Sequence, residues 1–199
     1  MGLVNRGGKV VGALTIPLNP DRVGVLIGEG GRVKKRIEES TKTRIRIDTR
    51  ALEAVIQPTE ESSLSDVYKA KRIVEAINYG FSPERALRLL EDDQFLEVID
   101  LKEYAKRREN LVRIKGRIIG ERGKFWKTLE EMSGAYVSVY DRFVAIIGDF
   151  NQLRIVKTAI QMIIDGRQHR TVINYLKREV SDLKKKLQLW EGPSFVGEI

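Results

Sequence analysis

The stretch LIGEGGRVKKRIEES, residues 26–40, decides the fold, because three glycines in four positions stand directly before a basic run with helical periodicity. Glycine inside a regular element costs about 0.5 to 1 kcal/mol relative to alanine, so a glycine cluster beside a good helix needs a physical reason. Two reasons are open at this point. One is a sharp turn, and the other is a ligand that touches the main chain.

A second copy of this stretch lies further along the chain. IGEGGRVKKRIEESTKTRIRID (27–48) aligns without a gap with IGERGKFWKTLEEMSGAYVSVY (119–140), at an offset of 92 residues. The replacements between the copies keep the apolar and the basic positions. The chain is therefore predicted to be a tandem repeat of one structural unit.

Each copy predicts the same order of elements, β-α-α-β-β-α. In the first copy, alternation in TRIRIDT predicts a strand with Ile45 and Ile47 on one side and Arg44 and Arg46 on the other. The predicted fold class is α+β, with two such units and a C-terminal helix. The predicted elements of the first copy are a strand at 13–19, a helical turn from Pro20, a helix at 32–41, strands at 43–49 and 52–59, and a helix that begins near Ser65.

The repeat also predicts how the chain divides. Apolar residues from Val172 to Trp190 recur with helical spacing, which indicates either a helix packed across its own domains or one that binds a partner. We expect an N-terminal tail at 1–12, the first unit at 13–81, a helical linker at 82–93, the second unit at 94–166, and a C-terminal helix and tail at 167–199.

Composition narrows the function. Lys and Arg outnumber Asp and Glu by 36 to 28 and the pI is about 9.7, which suits a polyanionic partner such as nucleic acid or an anionic membrane surface. The chain has no cysteine and one histidine, His169, which leaves little room for thiolate or zinc sites or for a nucleophile and base pair. No apolar run approaches the ~18 residues of a bilayer span. We expect a cytoplasmic protein without cofactor, metal or membrane partner.

A strand and helix that lead into Ile-Gly-x-x-Gly, followed by a basic amphipathic helix and a strand, resemble the type I KH domain. The second copy, RIKGRIIGERGKFWKTLEEMSG followed by IIGDFNQLRIVKTAIQMIIDG, resembles the tandem-KH family of small-ribosomal-subunit maturation called partner of Nob or Dim. This resemblance implies a protein that binds single-stranded pre-ribosomal RNA near the 3′ end of the small-subunit RNA. It also implies that the protein acts beside a PIN-domain endonuclease, with other ribosome-maturation or translation proteins as further partners.

The glycine loops are the candidate RNA site. A turn at the N-terminus of a helix leaves backbone N–H groups bare, where the helix dipole favours phosphate, and KH loops clamp about four nucleotides. Bases are expected in an apolar groove beside the loop, with Val25, Ile27, Ile118 and Ile119 as its floor, although each of these also fits a plain core position. The predicted RNA-binding residues are Gly28, Glu29, Gly30, Gly31, Arg32, Lys35, Arg44, Arg46, Gly120, Glu121, Arg122, Gly123, Lys124 and Lys127.

The two copies differ at the clamp. Glu29 and Glu121 each place a carboxylate near the phosphate, and only the second loop offsets it with a loop cation, Arg122. The first loop is therefore expected to bind RNA more weakly. Trp126 takes the place of Lys34 and is expected either in the core or as an exposed aromatic for base stacking or partner docking.

Other functions remain open at this stage. An RNA chaperone, a transcript-binding protein or an RNA-decay accessory protein would carry the same pair of domains. A metal-dependent ribonuclease would need acids such as Glu91, Asp92, Asp93 and Glu97 to hold Mg²⁺. No acid recurs with a His, Lys or Ser at a productive spacing, so we expect no enzyme and no catalytic residue.

Overall fold

The computed structural model describes the backbone of residues 12–191 and the side chains of residues 12–186. The predicted tails therefore lie almost wholly outside the described residues, and so do the side chains of Leu187 and Trp190. The first unit contains β1 (Leu14–Pro17), α1 (Pro20–Ile27), α2 (Arg32–Thr41), β2 (Thr43–Asp48), β3 (Glu53–Pro58) and α3 (Leu64–Asn78). A short helix α4 (Pro83–Ala86) and a 3-10 turn (Leu87–Leu90) follow.

The second unit repeats this order, so the predicted α+β fold class and the β-α-α-β-β-α order are confirmed. The elements are β4 (Phe95–Asp100), α5 (Arg108–Ile119), α6 (Lys124–Ser133), β5 (Tyr136–Tyr140), β6 (Phe143–Gly148), α7 (Phe150–Ile164) and the C-terminal helix α8 (His169–Glu191).

Each unit has one three-stranded antiparallel sheet, with strand orders β1-β3-β2 and β4-β6-β5. Ile45 of β2 pairs with Ile56, and Val137 of β5 pairs with Ile146, which sets the register of the two hairpins. In both sheets the strand that follows the loop-bearing helix is an edge strand. Its outer edge is therefore open to groups other than strands.

The two units share a core. Ala145 and Ile147 of β6 are fully buried in the first unit's apolar cluster, whereas their neighbours Val144 and Ile146 point into the second unit's cluster. Side chains alternate across a strand, so one face of the second sheet packs against the first unit. The two units therefore form a single packed body.

The segment 82–93 is partly helical, as predicted, but it is not a free spacer. Ala86 and Leu89 are fully buried in the first unit's cluster. Arg85 from the same segment makes a bidentate pair with Glu130 of α6, at 2.6 and 3.2 Å. The segment thus joins the units through packing and charge, and the boundaries at 82 and 93 remain a proposal.

Polar contacts complete the junction. The Ser138 hydroxyl donates to the Tyr79 carbonyl at 2.9 Å, and the Tyr140 hydroxyl donates to an Asp21 carboxylate oxygen at 2.7 Å. A Cβ at Gly80 would lie 2.6 Å from Ser138 Oγ, so this glycine permits the close approach. The hydrogen bond from Tyr140 lowers the pKa of Asp21, whereas burial and Asp21 raise the pKa of Tyr140.

Helix α8 packs against α6 and α7. Val172 and Leu176 are fully buried, and Val180 and Leu183 are partly buried against the second unit's cluster. His169 at its start stacks on Phe125 with ring centroids 4.2 Å apart. Of the two interpretations of this helix, packing on its own domain accounts for these contacts.

Candidate nucleic-acid interface

Both glycine loops have the same backbone conformation. The first glycine has φ 72° and ψ 172° at Gly28, and φ 73° and ψ 175° at Gly120. The third residue is left-handed in each loop, with φ 59° at Gly30 and φ 50° at Arg122, although Arg122 is not a glycine. The repeated sequence therefore builds the same turn twice.

The glycines are explained by the turn itself. A Cβ at Gly28 would lie 2.4 Å from Val33 Cγ2, and one at Gly120 would lie 2.6 Å from Phe125 Cβ, so the next helix packs directly on the first glycine of each loop. Gly31 meets nothing within 4 Å, but its φ of 79° favours glycine. Of the two reasons open from sequence, the sharp turn suffices.

The loop leaves two backbone donors free to meet a ligand. The N–H of Gly31 donates to the Gly28 carbonyl at 3.1 Å, and that of Arg32 donates to the Glu29 carbonyl. Within the described residues, no protein acceptor meets the N–H groups of the two middle positions, Glu29 and Gly30. The second loop repeats this pattern at Glu121 and Arg122. Each loop thus presents a pair of donors before a helix N-terminus, an arrangement that suits a phosphate.

Exposed cations surround these donors. Arg32 pairs with Glu29 at 3.9 Å and Lys35 with Glu39 at 3.7 Å, and all four side chains are at least two-thirds exposed. Exposed pairs of this kind contribute little, so the cations remain available to a phosphate. In the second unit, Arg122, Lys124 and Lys127 are also exposed.

Arg44 and Arg46 lie on β2, and Arg44 lines a surface pocket together with Lys35 of α2, whereas Arg46 does not line it. Both are exposed and alternate along β2 with Ile45, which is buried under the helices. They therefore lie on the face of the sheet turned away from α1 and α2. Arg32 and Lys35 lie at the loop itself, and an RNA contact of Arg44 and Arg46 stays a prediction.

One residue of the expected groove floor lies in the core, and the other three stay a prediction. Val25, Ile27 and Ile119 are partly exposed at the ends of α1 and α5. Ile118 is 0% exposed and belongs to the second unit's core, so its placement in the groove is wrong. Adjacent helix residues point about 100° apart, which sends one isoleucine inward and leaves the next at the surface.

The edge strand beside each loop is capped by a glutamate. Glu38 Oε1 accepts from the Ile45 N–H at 2.6 Å, and Glu130 Oε1 accepts from the Val137 N–H at 2.8 Å. In the second unit, the indole Nε1–H of Trp126 also donates to the Val137 carbonyl at 2.7 Å. Trp126 is thus partly buried and fixed against the edge strand, between the two environments expected for it.

Sequence reasoning missed two arginines that hold the loops in place. Arg22 Nε donates to the Ile77 carbonyl at 2.8 Å, and Arg117 Nη1 donates to the Ile163 carbonyl at 2.9 Å. Each ties the helix before the loop to the end of the unit's last helix. The two arginines lie before the aligned stretch and occupy different turns of α1 and α5. The alignment of the two copies therefore could not identify them. The glutamate caps, in contrast, are identities of the alignment.

The acids considered for a nuclease lie in ion pairs or at the surface. Asp92 lies 2.6 Å from Lys69, and Glu97 pairs with Lys157. The described part of the chain contains no group of three or more His, Cys, Asp or Glu side chains that could hold a metal ion. None of the helices in residues 12–191 combines the length and hydropathy that crossing a bilayer requires.

Family models match both units. A model of the KH domain matches residues 13–76, and one described as the eukaryotic type KH-domain (KH-domain type I) matches residues 95–181. A KH domain-containing protein of Methanocaldococcus jannaschii is 40% identical over 96% of this chain and 84% of its own. The pre-rRNA-processing protein PNO1 of Coccidioides immitis is 25% identical over 86% of this chain and 68% of its own.

A solved structure extends the comparison. The a/eIF2alpha-aDim2p-rRNA complex from Pyrococcus horikoshii contains a chain that is 45% identical, with a TM-score of 0.82 over 86% of this chain and 95% of that one. The resemblance carried by the second glycine loop is thereby confirmed. The chain belongs to the tandem-KH family whose members include PNO1 and Dim2p.

Proposed function

We propose that this protein binds single-stranded RNA, and that its target is the 3′ end of small-subunit ribosomal RNA during maturation. One observation carries the proposal: the same glycine loop occurs twice, each time with two open N–H donors and a ring of exposed cations. The family supports the target, because one relative is a pre-rRNA-processing protein and another is solved in complex with rRNA.

The geometry supports one role for the loops, which bind phosphates, and another for the groove beside them, which binds bases. The N–H groups at Glu29 and Gly30, and at Glu121 and Arg122, bind phosphate oxygens, with Arg32, Lys35, Lys124 and Lys127 beside them. Bases lie between the helix before the loop and the edge strand, where Val25, Ile27 and Ile119 offer apolar contact. A groove of this kind takes splayed bases, so the protein prefers unpaired RNA to a duplex.

Protein partners follow from the family. We propose a PIN-domain endonuclease as the enzyme beside which this protein acts, and a translation factor as a second partner, since the rRNA complex of the Pyrococcus relative contains a/eIF2alpha. In this role the protein binds and positions RNA without catalysing a reaction. We propose the cytoplasm as its compartment. An RNA chaperone or a transcript-binding role would need the same loops, but the named relatives favour ribosomal RNA.

The test is fluorescence anisotropy of a labelled small-subunit 3′-end oligonucleotide, unpaired or folded into a hairpin stem. The loop variant Lys124→Glu/Lys127→Glu should lose at least about tenfold in affinity for the unpaired strand. Lys184→Glu/Lys185→Glu makes the same charge change on α8, beside the far end of α6 from the loop, and should lose much less. Equal affinity for stem and unpaired strand, or equal losses in the two variants, would overturn the proposal.

A further inference from the structure

The connection that precedes α5 differs from its counterpart in the first unit. There, residues 18 and 19 alone join the end of β1 at Pro17 to the start of α1 at Pro20. In the second unit, residues 101–107 join Asp100 of β4 to Arg108, and α5 has 12 residues where α1 has 8. The second unit thus carries five more residues in this connection, and about one more turn of helix, than the repeated unit requires.

This connection and the first residue of α5 form a basic segment (residues 101–108). Its four exposed cations are Lys102, Lys106, Arg107 and Arg108. One acid, Glu103, lies among them, but no carboxylate of the described residues forms an ion pair with any of the four. Cations elsewhere on the surface, such as Lys71 and Lys157, do pair with carboxylates. The positive charge of the basic segment is therefore available to an anion.

The basic segment is anchored in the fold. Leu101 and Ala105 are 0% and 3% exposed and belong to the second unit's core. The Leu101 N–H donates to the Arg142 carbonyl at 2.9 Å, and the Ala105 N–H donates to the Leu101 carbonyl at 2.9 Å. A simple spacer would need no such anchors. The segment therefore presents its cations from a fixed position on the second unit.

Apolar groups are interleaved with these cations. The cations line a surface pocket of about 580 Å³ together with Ala105 and Leu111. Tyr104 is 46% exposed, and Val112, one turn after Arg108, is 61% exposed. Cations beside exposed aromatic rings are typical of surfaces that bind unpaired nucleic acid, because its bases can stack on the rings. The combination favours a single strand over a duplex, whose base faces are already stacked.

Helix α5 sets the distance between the basic segment and the second glycine loop. Its 12 residues, at 1.5 Å each, give a length of about 18 Å. Stacked nucleotides rise about 3.4 Å each, so about five of them cover this distance. A KH loop clamps about four nucleotides, which leaves the segment beyond the part of the strand that the loop holds.

We propose that the basic segment is a second contact site for the unpaired RNA strand held by the second loop. About five nucleotides beyond the loop, Lys106 and Arg107 bind backbone phosphates and Tyr104 stacks on a base. The inference rests on the proposed RNA binding and extends the bound strand past the glycine loops. The first unit offers no counterpart, because its connection consists of Leu18 and Asn19 alone.

Oligonucleotide length separates this site from the loop. A six-nucleotide strand from the small-subunit 3′ end occupies the loop alone, whereas a 12-nucleotide strand that extends it on one side also reaches the segment. Lys106→Gln/Arg107→Gln should weaken binding of one of the two extended strands, 5′ or 3′, about 5- to 20-fold. The slope of log K against log salt should fall by about 1.4, or about 0.7 for each of two phosphate contacts. Binding of the six-nucleotide strand should change less than about twofold.

Matched variants complete the test. Lys184→Gln/Lys185→Gln removes the same charge from α8 and should change binding of each strand less than about twofold. Tyr104→Leu keeps an apolar side chain without the ring, so it should weaken only the strand that responds to the cation variant. An abasic nucleotide at the stacked position should abolish the effect of Tyr104→Leu. All these side chains are exposed, so the melting temperatures should match that of the wild type.

Two results would overturn the inference. One is an equal loss for the six-nucleotide and the 12-nucleotide strands in Lys106→Gln/Arg107→Gln. The other is an unchanged affinity and salt slope for both extended strands, which would leave these cations to a different polyanion, such as an acidic protein surface. If the intact protein binds no strand, the proposed function fails as well. If it binds the strands and the segment variant binds them equally well, only this inference fails.

Discussion

Glu130 closes the edge of β5 by accepting the Val137 N–H at 2.8 Å, and the same carboxylate oxygen lies 2.6 Å from Arg85 Nη1. Glu38 repeats the first contact with Ile45 at 2.6 Å. One helix position therefore seals an edge strand in both units, but only in the second unit does it also join the units.

This difference predicts unequal costs for the same truncation. Glu38→Ala should lower the free energy of unfolding by about 1 to 3 kcal/mol, as loss of a hydrogen bond to a charged group does. Glu130→Ala should cost about 1 kcal/mol more, because Arg85 also loses its partner. Urea unfolding measures both. In an Arg85→Met background the excess should disappear, and an excess that persists would contradict the role given to the pair.

The glycines that follow α3 and α7 offer a second matched pair. Gly80 and Gly166 have φ of 99° and 89°, so alanine is strained at either position, at a cost of about 1 to 2 kcal/mol. A Cβ at Gly80 would also lie 2.7 Å from Tyr140 Cβ, whereas one at Gly166 meets nothing within 4 Å. Gly80→Ala should therefore cost a further 1 to 3 kcal/mol, roughly the penalty for overpacking. Equal melting temperatures of the two variants would contradict this expectation and show that the contact between Gly80 and Tyr140 can widen at little cost.

The third residues of the two loops, Gly30 and Arg122, can be exchanged to test the role of the loop cation. Gly30→Arg should be tolerated, because Arg122 already adopts the same left-handed conformation and Gly30 has no neighbour within 4 Å. Arg122→Gly should weaken binding of the 3′-end oligonucleotide about 3- to 10-fold and reduce the slope of log K against log salt by about 0.7, which corresponds to one phosphate contact. Gly30→Arg should strengthen binding by a similar or smaller factor. Titrations at several salt concentrations test this, and an unchanged slope in Arg122→Gly would rule out the phosphate contact.

The bond between Tyr140 and Asp21 predicts a pH dependence at the junction. Its donor lowers the pKa of Asp21 from 3.8, and Arg22 nearby acts in the same direction. A carboxyl group with a lowered pKa stabilises the fold above its unfolded pKa and loses that contribution as the pH falls. Tyr140→Phe should therefore lower the melting temperature at pH 6, and the difference from wild type should shrink below about pH 3.8. Tyr175→Phe, on α8, should show no such convergence, and a Tyr140→Phe deficit that is constant with pH would exclude the bond.

The repeat made much of this molecule predictable. Val33 and Ile37, spaced as one helix face, and Ile45 and Ile47, spaced as one strand face, placed α2 and β2 within about a residue of where they lie. The glycine loops also follow from local sequence, since their conformation is set by residues within five positions.

What the repeat could not predict are contacts between residues far apart in the chain. β6 is apolar on both faces, with Ala145 and Ile147 on one and Val144 and Ile146 on the other, which indicates a strand buried on both sides but does not name the covering element. Arg85 reaches Glu130 across 45 positions, and nothing in a single sequence pairs them. Ile118 and Ile119 are the same residue type at adjacent positions, and only the rotation of α5 decides which one lies in the core and which one at the surface.

The shared core has a consequence for synthesis on the ribosome. Leu89 leaves the ribosome 58 residues before Ile147, the β6 residue with which it shares a core. At 5 to 20 residues per second, the first half of the chain would wait roughly 3 to 12 s with part of its apolar surface uncovered. During this interval the chain is still attached to the ribosome, and its first half is most accessible to chaperones. A protein proposed to help complete ribosomes would thus depend on the ribosome in its own folding.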